Sequence, residues 1–155
     1  MQPKIEILIA EDDENDRYLV SRTFEKNGAV FSVTFARDGQ ETIEHLEKSP
    51  PGTVSKLLLL DLKMPRMDGF QVLEWIKSHP ERRPVHIVVL TSSVDPRDSH
   101  RTRALGADLH LTKPHDAREY VRIATGILDQ LAHCDSLSAQ RTPSQTLPLP
   151  AAVWP

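Results

Sequence analysis

Five short apolar runs, each followed by a helix-like stretch, set the tightest limit on what this chain can fold into. The runs are "KIEILIA" (4–10), "VFSVTFA" (30–36), "KLLLLD" (56–61), "VHIVVLT" (85–91) and "DLHLT" (108–112). Between and after them, "ENDRYLVSRTFEKNG", "DGQETIEHLEKS", "DGFQVLEWIKSH", "DPRDSHRTRALG" and "HDAREYVRIATGILDQLAH" read as helices. Strand and helix signals in alternation predict βαβ units, hence a parallel sheet covered on both faces. Several helices open with Asp or Glu, which suits the positive end of a helix dipole. Gly28 and Gly106 fall where two of the helices should stop. Tyr120, Ala124, Ile127, Leu128 and Leu131 recur at helical spacing, an apolar stripe facing the sheet.

The strands also differ in a way that orders them. "LLLL" and "IVVL" are unbroken apolar runs, as central strands buried on both faces require. Phe31, Val33 and Phe35 alternate with Ser32 and Thr34, and Leu109 and Leu111 with Asp108 and His110, so the second and fifth strands are expected at the edges. With right-handed crossovers, the simplest solution is an α/β fold: a flavodoxin-like, doubly wound, five-stranded parallel sheet in the order 2-1-3-4-5.

At 155 residues the chain holds one domain of ordinary size. Its 19 Lys and Arg against 22 Asp and Glu form no basic stripe for a phosphate backbone. No run approaches the roughly 18 apolar residues of a membrane span, so no membrane partner is expected. The opening "MQPKIEILIAEDD" is too short and too soon charged for a signal peptide, and a cytoplasmic location is expected. Cys134, the one cysteine, makes no internal disulfide and reads as a small apolar filler. The expected division is a domain over 1–134 and an irregular, Pro-rich tail over 135–155, "DSLSAQRTPSQTLPLPAAVWP". Such a tail is too short for an output domain and carries no helix-turn-helix, so direct DNA binding is not expected.

In a sheet of this order, ligands bind outside the carboxyl ends of the strands near the switch point between the first and third. Polar residues sit at those ends: Glu11 and Asp12 after the first strand, Asp61 at the third, Thr91 at the fourth, Lys113 after the fifth. Three acids brought together repel, and hard oxygen ligands favour Mg2+ over zinc. Lys113 alone could not neutralise three carboxylates and is better suited to an incoming anion. The seven histidines show no paired spacing for a metal site. Asp38, Asp68 and Asp95 read as capping or turn residues, and His86 as a partnered histidine at the start of a central strand.

"ILIAEDD", "LLLLDLKMPRMDG", "VVLTSS" and "ALGADLHLTKP", in this order and separation, resemble the signature blocks of the receiver domain of two-component response regulators, which is CheY-like; the likeness covers roughly residues 4–133. Within that family, "KMPRMDGFQVLEWIKSHPERRPVHIVVLTSS" is most similar to stand-alone regulators of phytochrome-type histidine kinases. The resemblance implies that Asp61 is the phosphoacceptor, taking a phosphoryl group from a kinase phosphohistidine as an acyl phosphate. It implies Mg2+ held by Asp12 and Asp61 directly, by Glu11 through water, and by the backbone carbonyl of Lys63, with Asp13 outside this shell. Lys113, Thr91 and Ser92 then contact the phosphoryl group, Ser92 being small enough to admit the donor. Thr91 and the residue at 110 form the switch. His110 departs from the family's usual aromatic there, as His115 does from the usual Phe after Lys113-Pro114. A plain reading leaves both as solvated histidines. The resemblance also implies a cis Lys113–Pro114 bond.

The function expected is that of a phosphoacceptor signalling protein, not an enzyme acting on other substrates. Its donor would be a sensor histidine kinase, phytochrome-type among them, or a phosphotransfer protein. Its output would be a downstream protein target, with a homodimer left open, and Trp154 in the tail is either a partner anchor or part of a frayed end. Two alternatives stand beside it. A haloacid-dehalogenase-type phosphatase needs a second Asp two positions after the nucleophile, where this chain has Lys63. A pseudo-receiver would bind partners without phosphorylation.

Overall fold

The computed structural model describes residues 5–25, 31–50, 57–84 and 86–138, with 24–25 and 131–138 as backbone only. Gly28, the side chains of Leu131 and Cys134, and residues 139–155 with Trp154 lie outside the described residues. The elements alternate as the sequence predicts: β1 (Ile5–Ala10), α1 (Glu14–Glu25), β2 (Phe31–Ala36), α2 (Gly39–Lys48), β3 (Leu57–Leu60), α3 (Gly69–Ser78), β4 (His86–Thr91), α4 (Pro96–Ala104), β5 (Leu109–Thr112) and α5 (Ala117–Ser138). A single 3-10 turn, Pro80–Arg82, joins α3 to β4. All strands are parallel, in the order β2-β1-β3-β4-β5. The unbroken runs of β3 and β4 are buried throughout, whereas β5 is only half-buried and β2 is buried at Phe31 and Ala36 with Val33 half-buried and Phe35 exposed, as edge strands allow.

Side chains on a strand alternate between faces, and this parity decides where the site lies. Ile7, Ile9, Leu57, Leu59, Val88 and Leu90 join the core layer under α1 and α5, with Val20, Tyr120, Ile127 and Leu128. Leu8, Leu58, Leu60, Ile87 and Val89 join the opposite layer with Leu46, Val72, Leu73 and Ile76 of α2 and α3. Each such aliphatic side chain contributes about 1.5–3 kcal/mol when fully buried. Among the described residues, no helix is long and apolar enough to cross a membrane.

Asp38, Asp68 and Asp95 cap α2, α3 and α4, each accepting a backbone N–H from the first turn. At the far end of α4, Gly106 takes φ +99, so that its amide and that of Ala107 close back on Arg103 and Thr102, each at 3.0 Å. Helix α5 continues five residues past the expected His133, because neither Pro nor Gly occurs between Gly126 and Pro143 to stop it.

Candidate functional site

Parity carries Glu11, Asp61 and Lys113 onto one face. Glu11 continues the Ile7, Ile9 series, Asp61 the Leu57, Leu59 series and Lys113 the Leu109, Leu111 series, all toward α1 and α5. The ladder hydrogen bonds run one step past each strand: Asp61 donates its amide to Ala10 O at 3.0 Å, and Lys113 to Thr91 O at 2.7 Å. Three remote segments therefore present their side chains at a common point. The Lys113 ammonium lies 2.5 Å from Glu11 Oε2, 2.8 Å from Asp16 Oδ2 and 3.1 Å from Asp61 Oδ2. One oxygen each of Glu11, Asp12 and Asp61 fall within 4.8 Å of one another. Glu11 and Asp61 are buried, whereas Asp12 stands exposed at the rim.

Bringing acids together out of water has an electrostatic consequence. Burial and then the Asp61 charge raise Glu11 to about 7, against the pull of Lys113. Burial opposes the Lys113 charge, yet its hydrogen bonds to Asp16 and Glu11 and the Asp61 charge hold it above the usual lysine range. Tyr120, the α5 wall of the site, is raised by burial. Three carboxylates meet one ammonium with Asp12 beside them, and the donor set is all oxygen, which fits a hard divalent cation.

The connecting loops fix this arrangement. Asp13 accepts the amides of Asn15 (2.8 Å) and Asp16 (3.0 Å), so it starts α1 and its side chain is occupied there. Arg17 Nη1 donates to the carbonyls of Glu11 and Asp12, both at 2.8 Å, pinning the β1–α1 loop. Lys63 donates its amide to Asp61 Oδ1 at 3.3 Å while its side chain is exposed. Gly69 donates to Leu62 O at 3.0 Å, and a Cβ there would sit 2.4 Å from Asp61 O, so α3 must begin with glycine.

Thr91 and His110 have the other parity and face α4. Thr91 is fully buried, and its Oγ1 accepts the Ser93 amide at 3.3 Å; Ser92 is exposed. His110 is half-buried rather than solvated, with Nδ1 2.9 Å from Thr102 Oγ1. The Thr102 hydroxyl already donates to Ser99 O, so Nδ1–H is the donor to Thr102. Burial lowers His110, with Asp98 acting to raise it and Arg103 to lower it. His115 is exposed. His86 is buried and partnered.

One expectation is corrected. Among the described residues every peptide bond is trans, Lys113–Pro114 included. Lys113 needs no cis turn, because β5 parity already aims it at the carboxylates and its amide extends the ladder to Thr91. One residue escaped the sequence reading altogether: Asp16, whose only signal was an acid one helical turn after Asp12.

The profile of the response regulator receiver domain matches residues 7–125, and the chain belongs to that family. Its fold is the CheY-like flavodoxin fold. The response regulator Rcp1 of Synechocystis sp. is 30% identical over 128 residues, which cover 81% of this chain and 86% of Rcp1. The probable methanogenesis regulatory protein FilR2 of Methanothrix harundinacea is 33% identical over 110 residues, 70% of this chain and 71% of FilR2. Among solved structures, the phosphorylated cyanobacterial phytochrome response regulator RcpA superposes with a TM-score of 0.78 at 28% identity, covering 92% of this chain and all of that one. The Mn2+-bound form of Rcp1 gives 0.72 at 28% identity, covering 94% and 99%.

Proposed function

We propose that this chain is a single-domain response regulator that accepts a phosphoryl group on Asp61 from the phosphohistidine of a sensor histidine kinase. The observation that carries the reading is the buried Asp61 carboxylate held 3.1 Å from the Lys113 ammonium beside two further acids. An Asp61 oxygen bonds to phosphorus as the P–N bond of the donor breaks, and the imidazole leaves. Glu11, Asp12, Asp61 and the Lys63 carbonyl would hold Mg2+, which supplies neutralisation of the charge spread over the phosphoryl oxygens. Lys113 exchanges part of its carboxylate contacts for a phosphoryl oxygen. Thr91 takes another such oxygen, and exposed Ser92 leaves the approach open.

A kinase of the phytochrome type is favoured by the likeness to Rcp1 and RcpA. The signal leaves through altered protein contacts at the α4 face, where His110 stands on β5 two residues short of the position that pairs with Thr91 and bonds Thr102 of α4. The test is intact mass after incubation with acetyl phosphate. Wild type gains one phosphoryl group with Mg2+ and none with chelator; a protein that never gains mass would defeat the proposal.

A further inference from the structure

Among the described non-glycine residues only Arg66 has a positive φ, +63. The Met67 amide reaches back to Pro65 O at 2.6 Å, so Arg66 is the centre of a three-residue turn. A turn of this kind at a non-glycine residue is strained, and strain persists only where the surroundings over-determine it. Arginine, unlike asparagine, gains nothing locally from this conformation.

The restraint comes from the start of α2. Asp38 is fully buried and its two oxygens are divided: Oδ1 accepts the Glu41 amide at 2.8 Å, capping α2, and Oδ2 accepts Arg66 Nε at 2.8 Å and Arg66 Nη2. Burial pushes Asp38 up, but the Glu41 amide and Arg66 outweigh it and leave it below the usual carboxylate range. Next to it, the Gly39 amide donates to Met67 O at 2.9 Å, and a Cβ on Gly39 would lie 2.4 Å from that oxygen. The β3–α3 loop is thus gripped at residues 66–67 by α2 and at Leu62 by the Gly69 amide of α3. Lys63 lies between the two grips.

We infer that Asp38, acting through Arg66, is a positioning residue that sets the Lys63 carbonyl for a divalent cation. The inference rests on the metal reading above. Capping alone would need only Oδ1 and would leave the strained turn without a cause.

Asp38→Asn separates the two roles, since asparagine caps a helix as well as aspartate but turns an amide, not a charge, toward the guanidinium. Mg2+ affinity, followed by calorimetry, should fall about ten-fold, the usual scale for losing a partner behind a metal ligand. In the metal-free protein, hydrogen exchange should quicken at the Met67 and Gly39 amides and stay slow at Glu41. Saturating Mg2+ should restore the phosphorylation rate. Arg66→Lys, which keeps the charge but not the fork, should fall between Asp38→Asn and wild type. Unchanged Mg2+ affinity in both variants, with wild type binding normally, would overturn the positioning role alone. Loss of Glu41 protection in step with the affinity would reassign the effect to capping and overturn it too. A wild type that binds no Mg2+ would overturn the metal reading with it.

Discussion

Replacing Lys113 by methionine should destabilise the metal-free protein strongly at pH 8 and weakly at pH 5. The side chains of Lys113, Glu11 and Asp61 are only 11%, 5% and 6% exposed, so solvent screens their charges little. Removing one partner of a buried ion pair costs about 3–5 kcal/mol, because the other charge is left uncompensated. Here the remaining charge has a way out. Glu11 stands at about 7 in the folded chain against 4.5 for an ordinary glutamate. A folded-state value above the unfolded one means the group's contribution is complete below about 4.5 and is lost as pH rises through about 7, to the extent of about 3 kcal/mol. Without the ammonium, Glu11 must move higher still, so at pH 5 it is protonated and its own share of the penalty is relieved. We expect Lys113→Met to lose about 3 kcal/mol at pH 8 and about 1 kcal/mol at pH 5, by urea unfolding in chelator. His110 titrates in both proteins and cancels. An equal loss at the two pH values, or no loss at pH 8, would refute the coupling of Glu11, Asp61 and Lys113.

Asp12→Ala should weaken Mg2+ binding far more than Asp13→Ala, whose carboxylate is occupied in capping α1; equal effects in a calorimetric titration would contradict the ligand assignment. Asp13→Ala should instead lower stability by about 1 kcal/mol, seen as a shifted urea midpoint. His110→Ala should still label at Asp61 yet lose much of the beryllofluoride-dependent change in partner binding or self-association, while His110→Phe keeps it. The reason is magnitude: a full two-state shift takes about 5.5 kcal/mol, and a hydrogen bond from Thr91 to a charged group supplies roughly 1.5–3. Unchanged association in His110→Ala would make the ring a bystander.

The fold was legible because its two kinds of strand leave different patterns. Unbroken "LLLL" against alternating "FSVTF" separates the centre from the edge, and right-handed crossovers leave few orders. Glu11, Asp12, Asp61 and Lys113 were legible as polar residues ending apolar runs. What stayed hidden depends on how helices dock and loops fold. Asp16 joins Lys113 only because α1 packs at the angle that it does, and Asp38 meets Arg66 across 28 residues of chain. Both aspartates carry ordinary helix-start signals, which mask a second use of the same carboxylate. The His110 bond to Thr102 likewise requires the position of α4, a helix whose one buried residue is that threonine.

The central claim is that Asp61 is the nucleophile, and reduction of the acyl phosphate tests it most directly. Protein treated with acetyl phosphate and Mg2+, then with borohydride, converts a phosphorylated aspartate to homoserine, which peptide sequencing locates. The expected result is homoserine at position 61 in the Mg2+ sample and none in chelator or in Asp61→Asn. Homoserine at position 12 or 13, or equal labelling of Asp61→Asn, would contradict the account.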